Sequence, residues 1–208
     1  MYVPSRFAES DPARLRTFVE QYSFATIVTT PAGRATASHI PLLPDGDFQS
    51  GGHLMGHFAK ANPQSDFSDG ETVLAIFHGP HAYISPSWYG TKNAVPTWNY
   101  VTVHVYGTMH AETDRLRQMQ MLRRFVDFHE ASLPTPWSPD QADADFNEQL
   151  LSAIVCFRIK IDHIEGNWKL NQHHDTNRRR SVIDALSAAD SENQQQIAKL
   201  MSQTLPPS

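Results

Sequence analysis

Between Tyr100 and Glu112 the side chains alternate, with Val101, Val103 and Val105 on one side and Thr102, His104 and Tyr106 on the other. A period of two is the mark of a β-strand with one buried face. The same character runs through FATIVTT at 24–30, ATASHIPLL at 35–43, HLMGHF at 53–58, ETVLAIFHG at 71–79 and HAYISPSWY at 81–89. PAG at 31–33 and PDGD at 44–47 are turn signals between them. The pattern predicts six consecutive antiparallel strands. Such a body closes more readily as a barrel than it lies open, because closure removes the unpaired edges.

Helical spacing appears only on either side of this body. Asp11 followed by Pro12 reads as an N-cap with proline at the first helical position, and Leu15, Phe18, Val19 and Tyr22 then recur at helical intervals. From Asp114 onward Leu116, Met119, Leu122, Phe125, Val126 and His129 share one face of a helix that ends before Leu133 and Pro134. PTPWSPD at 134–140 connects to a short helix around Asp143–Leu150, and AIVCFRIKIDHIEG at 153–166 alternates as a last long strand. Two closing helices are predicted between Arg178 and Gln203, with a break at Ser187–Ser191. The fold class is therefore mainly β (α+β), with residues 1–175 as the strand body and 176–208 as a helical segment packed on it. Strands that precede helices without alternating with them exclude a doubly wound nucleotide fold.

At 208 residues the chain suits one compact domain with an appended segment. Seventeen basic against 22 acidic residues give a net charge of −5, which excludes a wholly basic nucleic-acid footprint. The longest apolar runs, VLAIF at 73–77 and LLSAIVCF at 150–157, fall far short of the roughly 20 residues of a membrane span. The start MYVPSRFAESD has no export pattern, and Cys156 is the only cysteine, so the expected setting is the cytoplasm with no membrane partner.

Common catalytic motifs do not occur. The glycines at 51, 52 and 56 form neither GxGxxG nor a P-loop, and no GxSxG surrounds Ser85 or Ser87. Cys156 sits in an apolar strand pattern that predicts a buried, inert thiol. His53 and His57 are four apart, but on a strand that spacing does not bring two ligands together, so no metal residue is assigned. Ligation of haem by one histidine needs no spacing signature and stays open. NRRRS at 177–181 reads either as a solvated helix start or as a contact to phosphate or DNA.

Three segments are denser in polar and aromatic residues than folding alone requires. In GHFAKANPQ at 56–64 a strand is expected to end at Gly56–His57, and a helix of little more than one turn to run to Asn62 before Pro63. Free N–H groups at that junction, with Lys60 and His57 as cations, would suit a phosphate; an ordinary turn with a solvated lysine explains them as well. GPHAYISPSWYGTKNAVPTWNY at 79–100 sets Tyr83, Trp88, Tyr89, Trp98 and Tyr100 among hydroxyl and amide side chains. That composition makes a wall for a flat, hydrogen-bonding ligand, a subunit interface, or both. NWKLNQHH at 167–174 repeats the chemistry with Trp168, Lys169, Asn171 and Gln172.

These strings, with SFAT at 23–26, VLAIFHGPHAYISPSWY and VPTWNYVTVHVYG, closely resemble the PaiB-type FMN-binding negative transcriptional regulators, which are split-barrel flavoproteins. The matches keep the family's order from residue 1 to about residue 186. The resemblance implies a six-stranded antiparallel split β-barrel that forms a homodimer, with FMN in a groove between subunits. It implies phosphate contacts from Ser38, His39, His57 and Lys60, and ring contacts from Thr97, Trp98, Asn99, Trp168, Lys169 and Gln172. The family's usual KLSQN is KLNQHH here, so Asn171 replaces a hydroxyl and His173 an amide. The function implied is repression of transcription with redox or metabolite sensing, and no catalytic residue is assigned. A flavin-dependent oxidoreductase using NADH or NADPH, and a haem-binding or haem-utilisation protein, are the alternatives.

Overall fold

The computed structural model describes residues 1–206. In chain order the elements are β1 (Ala8–Glu9), α1 (Pro12–Gln21), β2 (Phe24–Thr29), β3 (Thr36–Pro41), β4 (Leu43–Asp45), β5 (His53–Ala59), β6 (Glu71–Ile84) and β7 (Thr97–Ala111). There follow α2 (Arg115–Glu130), α3 (Ala144–Ser152), β8 (Ile154–Lys169), α4 (Thr176–Ser187) and α5 (Glu192–Gln203). The strands form one sheet in the order β3-β2-β6-β7-β8-β5-β4, and β1 also pairs with β8. The pairings of β1 with β8, of β2 with β3 and β6, and of β5 with β4 and β8 are antiparallel. This is the mainly β, split-barrel class that the sequence predicts. Among the described residues no helix is long and apolar enough to cross a membrane.

The six central runs yield six strands, β2 to β7, and β1 and β8 bring the sheet to eight, but two of the runs divide differently from expectation. The run 35–43 divides at Leu42, whose amide donates to Ser23 O at 2.9 Å, so β3 stays on β2 while β4 turns to pair with β5. The runs 71–79 and 81–89, expected as two strands, give the single strand β6, which ends at Ile84 before a 3-10 turn over Pro86–Tyr89. Gly79 is not a turn there. A Cβ on it would lie 2.6 Å from Phe18 Cε2 and 3.1 Å from Val101 O, so the residue provides room for a close approach inside the strand. Likewise β8 runs on through Trp168 and Lys169, because Gly166 lets β1 come alongside: a Cβ would meet Glu9 O at 2.8 Å.

The chain forms two compact units, of which Val19–Ile76 with Val105–Ile164 is one. Its apolar centre contains Leu43, Met55, Met121, Phe125 and Cys156, with Phe58 and Phe157 ring to ring at 4.8 Å. The buried face of α2 is Met121 and Phe125, whereas Leu116, expected on that face, is exposed. Burial pushes the Cys156 thiol up to about 11, so it stays protonated and inert at neutral pH. The other unit comprises Met1–Phe18, Phe77–His104 and Glu165–Ser208. There Asp11 caps α1 by accepting from Ala13 N–H at 2.9 Å. Val182, Leu186, Ile197 and Met201 of α4 and α5 are fully buried, each stabilising the fold by roughly 1.5–3 kcal/mol.

Candidate functional site

The start of β7 and the end of β8 meet at one polar contact, in which Lys169 Nζ donates to Thr97 Oγ1 at 2.8 Å. The ammonium also lies 5.7 Å from the centre of the Tyr100 ring. Among the described residues it pairs with no carboxylate, and burial lowers its pKa from the ordinary lysine value. Next to Thr97, Trp98 is 52% exposed and packs edge-on to Tyr83 at 5.9 Å, with His81 at 6.1 Å. A hollow of about 400 Å³ is lined by His78, Gly79, His81, Trp98, Tyr100 and Thr102. His104 also borders it and has a lowered pKa, chiefly through burial and then through the N-terminal ammonium. Rings lining a hollow, with a cation that no carboxylate neutralises close to one of them, suit a flat, electron-accepting ligand.

The other expected ring residues are held within this unit. Asn99 is fully buried; its Nδ2 donates to Met201 Sδ at 3.3 Å and its Oδ1 has no partner. Trp168 is buried 5.1 Å from Phe18, with the Arg14 guanidinium 5.9 Å from its ring centre. Gln172 braces the turn after β8, accepting from Leu170 N–H at 2.7 Å and donating to Trp168 O at 2.5 Å. Alternation explains this sorting. Asn99 shares the parity of Val101, Val103 and Val105, which are buried, while Trp98 has the opposite parity. Asn171 adopts φ +62°, a left-handed conformation that asparagine tolerates better than most residues. Its Nδ2 donates to Tyr89 OH at 3.3 Å. Tyr83, expected as part of an aromatic wall, lies on this face, and His81 joins it without having been singled out; the signal was its alternation in β6 with buried Ala82 and Ile84.

The four expected phosphate residues belong to the other unit. Ser38 is committed to a network: it donates to Gln64 Oε1 at 2.5 Å and accepts from Asn62 Nδ2 at 2.8 Å. His39 is exposed on β3, with Nδ1 3.0 Å from Thr26 Oγ1 on β2. The helix expected over 58–62 does not form. β5 continues to Ala59, Lys60 N–H donates to Ala153 O at 2.8 Å, and Asn62 caps a short 3-10 turn over Pro63–Ser65. Pro63 disfavours helical backbone at Asn62, so no helix N-terminus arises here. His57 packs edge-on to Phe125 at 5.7 Å with its Nδ1 buried and unpartnered, and burial lowers its pKa. It is a neutral imidazole, not the cation expected, whereas the Lys60 side chain is exposed. Within 178–180, Arg178 donates to His174, buried Arg179 donates to Thr204, and Arg180 alone is exposed, so the basic run presents one fully exposed arginine at the start of α4.

The donor set fits a flavin. Within this unit Trp98 and Tyr83 offer faces and edges to a tricyclic ring, and Lys169 offers positive charge without a carboxylate; in the other unit, taken by itself, His39 and Lys60 are exposed. Fold and side chains together define an antiparallel split-barrel flavoprotein. The chain belongs to the family described as "Putative FMN-binding domain", which matches residues 1–163, and it is an FMN-binding protein. It is 37% identical over 210 residues to "Protease synthase and sporulation protein PAI 2" of Bacillus subtilis, covering 99% of this chain and 98% of that one. Its fold resembles the flavocytochrome Anf3 of Azotobacter vinelandii, with TM-score 0.59 and 13% identity, covering 78% of this chain and 69% of that one. It also resembles the FAD and heme binding protein of Mycobacterium smegmatis, with TM-score 0.56 and 15% identity over 84% and 78% of the two chains.

Proposed function

We propose that this chain works in the cytoplasm as a homodimeric, FMN-binding regulator of the PAI 2 kind, repressing transcription in response to a redox or metabolite signal. The observation that carries the flavin part is the Lys169 ammonium 5.7 Å from the ring centre of Tyr100, which shares a hollow with the exposed Trp98. Supporting the regulatory part is the end-to-end similarity to PAI 2. Tyr83 and Trp98 are large apolar groups exposed in one unit, and burying such surface against a second copy is favourable.

In this reading Trp98 and Tyr83 orient the ring, and Lys169, held in place by Thr97, sets a positive charge near it. In the other unit, taken by itself, His39 and Lys60 are exposed donors that suit a phosphate, with Ser38 held in the Gln64 network and His57 packed on Phe125. Asn99, Trp168 and Gln172 fix the strand ends that carry Thr97 and Lys169. FMN, when bound, supplies reversible electron or hydride transfer. A fixed cation at Lys169 favours whichever form of the ligand carries more negative charge.

The test is a spectrum of the pure protein titrated with FMN, sedimentation of the loaded protein, and a mobility-shift assay on DNA from upstream of its own coding region. The expected results are saturable flavin uptake, a dimer, and a shift that changes with FMN. Absence of any shift at low salt, with or without FMN, removes direct repression. Rapid anaerobic bleaching by NADH or NADPH would instead favour an oxidoreductase.

A further inference from the structure

A second hollow, of about 230 Å³, lies within the unit that contains Lys169. The segment 93–97 supplies apolar walls through Ala94, Val95 and Pro96, and His174 and Arg178 close it from the start of α4. Arg178 Nη1 donates to His174 Nδ1 at 3.1 Å and Nη2 makes a long contact of 3.5 Å to Thr91 Oγ1, and the guanidinium lies 5.3 Å from the Tyr89 ring centre. Because arginine only donates, His174 Nδ1 accepts, and the neutral ring carries its proton on Nε2 as a further donor.

Among the described residues no carboxylate forms an ion pair with the Arg178 side chain. The Asp175 carboxylate attracts Arg178 and His174 through space, but its Oδ1 accepts from the Arg178 backbone N–H at 3.0 Å and it does not line the hollow. The charged groups that act on His173, the next ring along, are Arg6, Lys169 and Arg178, all cations, and with burial they lower its pKa. An arginine fork that faces a hollow without an acid, above apolar walls, is arranged for an organic anion.

We infer that this hollow binds a small carboxylate carried on an apolar body, the carboxylate taken by Arg178 and His174 and the body by Ala94, Val95 and Pro96. Thr97 lines the hollow and also holds Lys169, so an occupant sits one side chain from the cation assigned to the flavin. The inference deepens the flavin reading, on which its meaning as the sensed metabolite rests.

Benzoate, acetate and inorganic phosphate are titrated by calorimetry into the FMN-loaded protein. Benzoate should bind, and acetate and phosphate should bind at least about tenfold more weakly, since neither places an apolar body on the walls. Arg178→Lys, which keeps the charge but loses the fork, should weaken benzoate about tenfold and leave the flavin spectrum unchanged. Val95→Glu, at an exposed position where folding is not at stake, should do the same by repulsion. Undetectable benzoate binding, equal binding of acetate or phosphate, or full benzoate affinity in both variants overturns the inference. So does loss of flavin in Arg178→Lys, which would make the hollow part of the flavin clamp. Should the wild-type chain take up no FMN, the flavin reading fails, and the same titration on the flavin-free protein still decides the hollow.

Discussion

Lys169 Nζ donates to Thr97 Oγ1 at 2.8 Å, tying the last residue of β8 to the first of β7 with no carboxylate to share the charge. A lysine so placed costs desolvation and returns little stability, so its worth lies in what it offers a ligand. Lys169→Met keeps the length and apolar stem but removes the charge. FMN affinity, followed by quenching of flavin fluorescence, should fall about tenfold or more, in line with loss of a charge-assisted contact. The melting temperature should hold or rise. Unchanged FMN affinity would remove Lys169 from the site.

Gly79 reads in the sequence as a strand break and is in fact a point of close packing. A Cβ there would sit 2.6 Å from Phe18 Cε2 and 2.7 Å from its Cζ, with Val101 O behind at 3.1 Å. Gly79→Ala should therefore destabilise the protein by about 1–3 kcal/mol, the scale of overpacking a filled core. Chemical denaturation would register this as a lower midpoint at unchanged slope.

That glycine illustrates what the chain discloses and what it conceals. Alternation at Val101, Val103 and Val105 gave the strand and its buried face correctly, because period and burial are local. The same parity, extended back two residues, would have assigned Asn99 to the interior and Trp98 to the surface. Longer-range facts were not legible. Nothing local tells that the Leu42 amide bonds to Ser23 and splits a strand, that Met121 rather than Leu116 faces the sheet, or that Gly79 accommodates a phenyl ring from α1. At the candidate site, composition marked the aromatic strings, but the neutral state of His57 depends on Phe125, far away in sequence.

Asn171 stands where the resembling family usually has a hydroxyl, and it adopts φ +62° with its side chain fully buried against Tyr89 OH. Asn171→Ala would lose that hydrogen bond and put a residue less suited to left-handed backbone into the turn. The expected loss is about 2–3 kcal/mol, from roughly 1 kcal/mol of hydrogen bonding and 1–2 kcal/mol of backbone preference. Asn171→Gly relieves the backbone and should recover about half of it. Equal losses for both would show that the side-chain contact alone matters.

His57 should make stability depend on pH. Its Nδ1 is buried without a partner beside Phe125, and burial lowers its pKa below the ordinary 6.5. The unfolded chain therefore binds a proton on this residue at a higher pH than the folded one does. Stability from the neutral ring is complete above pH 6.5, declines as the pH falls through the lowered folded value, and is level again below it. His53, His104, His173 and His174 are shifted the same way, so the whole protein should weaken on acidification. The difference between wild type and His57→Leu isolates one contribution. Measured by urea denaturation at a series of pH values, the wild type should lose stability below pH 6.5 more steeply than the variant, and the two curves should run parallel above it. Parallel curves throughout would show that His57 reaches solvent and takes up its proton without cost.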